Sequence, residues 1–167
     1  WLHYDLTVAK CEVFAGKEVD TTARITDFPD IRDRCVLLSV KITDDNLPNV
    51  SALIIDYSNE EADFRPGDEI KVKLKLRSVT ERFGEQTDSN ISKGVYLSGY
   101  TSEKIEKTGR WSGSFVYFPK LIGNALHNEI GQLFPEDTAP FMKALLAGYK
   151  DDYYGNDKLY ASMNVAG

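Results

Sequence analysis

Histidine and cysteine are scarce in the 167 residues, with two of each. His3 and His127 lie far apart, and Cys11 and Cys35 are 24 positions apart with no CxxC pair. That is too few soft ligands, wrongly spaced, for a structural zinc. No nucleophile elbow, phosphate loop or paired His and carboxylate arrangement occurs. The chain is therefore read as having no catalytic residue, no metal site and no cofactor, and as not being an enzyme. "KDDYYGND" has carboxylates and a glycine, but not at the spacing of a calcium loop. Long apolar runs are missing as well. Nothing approaches the roughly 18 apolar residues of a membrane helix, and no charged start leads into an apolar run as in a signal peptide. No membrane span is expected. The start at Trp1 and the stop at "NVAG" suggest a piece of a longer protein.

What is present is an acidic chain with 42% hydrophobic residues and a net charge of −6. The hydrophobic content suffices for a globular core, and the charge argues against simple nucleic-acid binding, which rests on clustered Lys and Arg. The distribution qualifies that argument. Residues 1–70 carry 7 basic and 15 acidic groups, residues 71–120 carry 10 and 5, and residues 121–167 carry 3 and 6. A basic middle inside an acidic chain hints at a polyanion-facing surface. The two cysteines are either a disulfide or two buried thiols, and composition does not decide between them.

Period-two alternation dominates residues 17–102 and predicts strands. In "EVDTTARIT" the residues Val19, Thr21, Ala23 and Ile25 share one face. "DFPDIRDR" supplies a turn, and "CVLLSVKIT" places Val36, Leu38, Val40 and Ile42 together. "VSALIIDY" is a more continuously apolar third strand, and "SNEE" after it is a capping-box pattern for a short helix, stopped by Pro66 and Gly67. "IKVKLKLR" alternates Ile70, Val72, Leu74 and Leu76 with Lys71, Lys73, Lys75 and Arg77. After the polar loop "SVTERFGEQTDSNIS", "KGVYLSGYTSE" forms the fifth strand. The order of three strands, a short helix and two strands is that of an OB-fold, a five-stranded Greek-key barrel. An immunoglobulin-like sandwich needs about seven strands and a Trp between its cysteines; neither Trp1 nor Trp111 lies there.

From residue 118 the apolar period becomes helical. Leu121, Ile122, Ala125, Leu126, Ile130 and Leu133 follow Pro119, which suits a first helical turn. Thr138 could cap a second helix through "FMKALLA", ended by Gly148, and Asn156 a third through "DKLYASM". The expected architecture is mainly β: an OB-fold-like barrel domain over 1–113, then amphipathic C-terminal helices over 114–167. These helices pack on the barrel, or lie against a membrane or a further domain.

"FPEDTAPFMKALLAGYKDDYYGNDKLYASMNVAG" resembles the segment of ComEC-family DNA-uptake channel proteins that leads into their membrane-embedded competence domain. "FAGKEVDTTARITDFP" and "RPGDEIKVKLKLR" look like parts of that family's N-terminal OB-like domain, so the resemblance covers most of the chain. It implies a bacterial membrane protein of natural transformation, with this domain on the extracytoplasmic side. The implied partners are single-stranded or duplex DNA, the protein's own membrane channel domain and a DNA-delivery competence protein. The family's separate nuclease-like domain has a histidine-rich metal motif that is absent here. An extracytoplasmic setting also favours a Cys11–Cys35 disulfide, worth roughly 3–4 kcal/mol on the chain-entropy estimate.

The candidate DNA-binding residues fall into two groups. Residues two apart on a strand are about 6.5–7 Å apart, comparable to successive phosphates of an extended single strand. Lys71, Lys73, Lys75 and Arg77 could thus track a backbone, although lysines on exposed strands also guard against edge-to-edge aggregation. OB-folds that bind nucleic acid use strands two and three with the loops joining strands one to two and four to five, which points to Arg24, Lys41, Arg82, Phe83 and Lys93. Stacking needs exposed aromatics beside those cations, and Phe83, Tyr96 and Tyr100 qualify. The alternative function is structural: an assembly domain that orients the channel or docks a DNA-delivery protein through its acidic face.

Overall fold

The computed structural model describes residues 2–58, 63–82, 85–135 and 138–147. Two compact units divide between Tyr117 and Phe118, four residues later than the boundary expected after 113. The turn at Ser114–Tyr117 stays with the first unit because its side chains pack there. Tyr117 meets Trp111 edge-on, with ring centroids 6.2 Å apart, and Ser114 closes over Gly67.

The first unit opens with α1 (Leu2–Glu12) and continues through β1 (Glu18–Ile25), β2 (Asp30–Arg32), β3 (Cys35–Ile42), β4 (Ser51–Asp56) and β5 (Asp68–Arg77). It then carries the short hairpin β6 (Glu81–Arg82) and β7 (Glu85–Gln86), followed by β8 (Leu97–Thr101) and β9 (Glu106–Arg110). Around the barrel the strands run β1, β3, β4, β8, β5, and β5 pairs back to β1. β4 and β8 are parallel, while the other four pairings of the ring are antiparallel. The result is a closed five-stranded OB-like barrel, as the strand order predicted. β1 achieves the closure by pairing with β5 along Glu18–Arg24 and with β3 through Ala23–Ile25.

Alternation drives this arrangement. Ile70, Val72, Leu74 and Leu76 of β5 are buried, and so are Leu38, Val40 and Ile42 of β3, Ala52 and Ile54 of β4, and Leu97 of β8. Each large aliphatic side chain so buried contributes about 1.5–3 kcal/mol. A small residue is required where β8 crosses β5. A Cβ on inward-facing Gly99 would lie 3.1 Å from Leu76 Cδ2 and 3.2 Å from the Lys75 carbonyl. At the entry to β5, Gly67 adopts φ +95°. Asp68, 1% exposed, there accepts from the Arg65 backbone N–H at 2.8 Å and pairs with Lys107 Nζ at 2.7 Å.

Several elements were not anticipated, the β6–β7 hairpin inside the predicted polar loop among them. β2 lies within the predicted turn, β9 pairs with β5 beyond the fifth strand, and α1 precedes the first predicted strand. α1 is held by tertiary contacts rather than by an apolar stripe. Its Glu12 carboxylate accepts from the Val79 N–H at 2.8 Å, the Ser78 hydroxyl at 3.2 Å and the Thr80 N–H at 3.3 Å. The helix expected from "SNEE" up to Pro66 does not include residues 63–65, which are irregular, and its first part, residues 59–62, lies outside the described residues.

The expected disulfide is not formed, and both cysteines are free thiols. Cys11 ends α1 in the barrel core. α1 shares a cavity of about 540 Å³ with residues 45–50, just past the Ile42 end of β3. Cys35 begins β3 at the opposite end, roughly 20 Å up the strand, whereas a bridge needs Cα atoms within about 7 Å. Burial pushes the Cys11 thiol up to about 11, and the neighbouring Glu12 charge adds to the rise.

The second unit contains α2 (Phe118–Leu133) and α3 (Ala139–Ala147). Pro119 sits in the first turn of α2, and the backbone N–H groups of Thr138 and Ala139 donate to the Pro135 carbonyl at the start of α3. Thr138 precedes α3 as predicted, but its hydroxyl donates to Pro135 O at 3.3 Å instead of accepting from the helix. Ile130 and Ala139 are buried, while Phe118, Ile122 and Leu126 are exposed at helical spacing. The third predicted helix and "KDDYYGND" lie outside the described residues.

Candidate nucleic-acid interface

The outward faces of the barrel strands divide into two chemically distinct regions. On β5, Lys71, Lys73, Lys75 and Arg77 all point outward and are exposed. The register sets carboxylates against most of them. Glu18 lies opposite Lys75 and Asp20 opposite Lys73 on β1, and Glu106 lies opposite Lys71 on β9. Glu103, in the loop after β8, pairs with Lys73 Nζ at 3.2 Å. The Lys73 ammonium is accordingly held above its ordinary range, first by its hydrogen bond to Glu103 and the charge of that carboxylate, then by Glu18 and Asp20. Arg77 lies opposite Ser98 and makes no ion pair among the described residues.

The neighbouring region crosses β3, β4 and β8. One row of paired residues reads Leu37, Ile55, Tyr100, Lys75 from β3 to β5, and the next reads Ser39, Leu53, Ser98, Arg77. The three strand-to-strand steps of each row span about 14 Å. Leu37, Leu53, Ile55 and Tyr100 are only partly buried on this outer side. Tyr57, just past β4, meets Tyr100 edge-on with centroids 6.5 Å apart and is 43% exposed. A shallow groove of about 150 Å³ runs along its edge, lined by Lys73, Lys75, Tyr100 and Glu103 among others. In an OB-fold, this face of strands two and three is the ligand surface.

Of the remaining sequence candidates, Lys41 is exposed at the end of β3, opposite Arg24 and Ser51. Arg24 is committed elsewhere. Its guanidinium stacks 3.9 Å from the Trp111 ring centroid and pairs with Glu69 at 3.3 Å, which offsets the like charge of Lys41 across the register. Tyr96 is half-buried against the core cluster, so it packs instead of offering a free ring. Lys93 is exposed in the 3-10 turn Ile91–Lys93, and Arg82 lies in the β6–β7 hairpin. Phe83 lies outside the described residues. The fold thus brings Tyr100, Lys73, Lys75 and Arg77 together, and it pairs Lys41 with Arg24 between β3 and β1.

Tyr57 is the residue that sequence reasoning missed. The signal was available, since Leu53, Ile55 and Tyr57 recur every second position of "SALIIDY", out of phase with inward Ala52 and Ile54. Among the described residues, no group of three or more His, Cys, Asp or Glu could hold a metal ion, and no helix is long and apolar enough to cross a membrane. No known family model matches the chain, and no curated protein matches it.

Proposed function

We propose that the barrel is a nucleic-acid-binding module that lays a DNA strand across the outer face of β3, β4 and β8, without sequence selectivity. The observation that carries this reading is the row Leu37, Ile55, Tyr100, Lys75: an aliphatic and aromatic strip ending in a cation, on the face that OB-folds use for ligands. Tyr100 and the more exposed Tyr57 supply π-faces on which bases stack irrespective of sequence, at about 1–3 kcal/mol per base. Lys75 and Arg77 on one side and Lys41 on the other supply phosphate contacts. The sequence resemblance to ComEC-family proteins supports reading such a module as an extracytoplasmic part of a bacterial DNA-uptake channel that receives transforming DNA.

Fluorescence anisotropy with a labelled oligothymidylate at low salt tests this. Micromolar binding is expected, weakening with salt at a logarithmic slope of about −2 for three phosphate contacts. No binding at high micromolar protein sinks the reading.

One observation favours a different role, an assembly domain that orients the channel or docks a DNA-delivery protein. Three of the four β5 cations already face carboxylates, which leaves an acidic outer face on β1 at Glu18 and Asp20. Normal DNA transport by a folded variant lacking Lys41, Lys75 and Arg77 would favour that role.

A further inference from the structure

The carboxylates around β5 do more than balance charge, because of where they stand. Glu18 and Asp20 form a column on the β1 side of the lysines, and Glu103 reaches Lys73 from the loop after β8. The Lys73 and Glu103 side chains remain 42% and 66% exposed, so the pair is open to solvent and exchangeable. A solvent-exposed pair of this kind is weak and easily displaced. A carboxylate fixed on the adjoining strand nevertheless competes for its lysine at a high effective concentration, where a free phosphate must be recruited from solution.

We propose that Glu18, Asp20 and Glu103 act as a built-in competitor for polyanions: Glu103 pairs with Lys73 from the loop after β8, and Glu18 and Asp20 line the β1 side of the stripe. A bound nucleic-acid backbone is thereby kept off Lys73 and held to the Arg77 end of β5, along Tyr100 and Lys75, and its affinity is held low. The proposal rests on the reading of this face as a nucleic-acid track. It makes the three acids determinants of where a polyanion lies on the surface and of how tightly it is held.

The test compares the full chain with E18Q/D20N/E103Q and with a charge-matched control, D27N/D33N/D45N, whose three exposed carboxylates lie in the turns on either side of β2 and after β3 and are not paired with β5. Urea unfolding confirms that each variant folds, and the single variant Glu103→Gln, which touches only an exposed loop, serves if the triple variant does not. With labelled oligothymidylate, the triple variant should bind about tenfold more tightly than the control at low salt. Its salt slope should be steeper by up to about 0.7, for the one lysine, Lys73, released. On immobilised heparin it should elute at higher salt than the control, and Glu103→Gln should fall between wild type and the triple variant. Coincidence of the triple variant with the control on both probes overturns the proposal, since the gain would then be net charge alone. If wild type fails to bind oligonucleotide, the nucleic-acid reading falls, while the heparin comparison still decides whether the acids block the lysines.

Discussion

β5 and the face formed by β3, β4 and β8 are built on the same two-residue period and bury the same kind of side chains, yet their outward rows differ completely. On β5 every outward position from 71 to 77 is cationic, and the neighbouring strands answer three of these positions with acids. On β3, β4 and β8 the outward positions are aliphatic, hydroxylic or aromatic, with Lys41 at the margin. A charged stripe that is conspicuous in sequence can therefore be the quieter surface, because its charge is met at home. A strip with little charge can be the more available one, because among the described residues its partners in register on β3, β4 and β8 are themselves apolar or hydroxylic.

The largest effects should fall where the two regions are alike, in the shared core. Leu74→Ala beneath the stripe and Ile54→Ala beneath the aromatic strip should each cost about 2–5 kcal/mol of stability, as large-to-small changes at fully buried sites do. Urea unfolding reads both. If Ile54→Ala costs far less than Leu74→Ala, the strip is not backed by the same core and the barrel is looser on that side.

The next largest effect separates the regions. Tyr100→Ala should weaken oligonucleotide binding by about 1–3 kcal/mol through lost stacking, whereas Lys71→Ala, on a lysine already facing Glu106, should change it little. Anisotropy at fixed low salt measures both. Equal losses would mean that the stripe carries as much of the contact as the strip.

Much of this contrast could be read from the sequence, and the unread part has a definite physical cause. Inward and outward positions of β1, β3, β5 and β8 follow from period-two alternation, and the OB order follows from the sequence of elements. The partners of Lys71, Lys73 and Lys75 do not follow, because they depend on which strand closes the barrel and in what register. Glu18 lies 57 positions before Lys75 and comes opposite it only once β1 pairs with β5. The cysteine pairing failed for the same reason: Cys11 and Cys35 are close in sequence, but α1 holds one at the far end of the strand that the other begins. α1 itself escaped notice because its hold on the barrel is a single thiol, Cys11, in the core and one carboxylate, Glu12, accepting from three donors after β5. No local pattern announces such a contact.

The smallest effect tests whether the two outward rows are held together by different forces. A double-mutant cycle on Glu18→Gln and Lys75→Gln should give a coupling of about 0.5 kcal/mol, typical of opposite charges directly across a sheet. At about 1 M salt, where the screening length falls to about 3 Å, that coupling should largely vanish. A cycle on Leu37→Ala and Ile55→Ala, the apolar pair at the same level of the barrel, should persist at 1 M salt, because apolar contact carries no charge to screen. Loss of both couplings with salt would mean that the aliphatic row is held in place by the charged one. The comparison would then reduce to a single cooperative surface, with the aromatic strip depending on the ladder beside it.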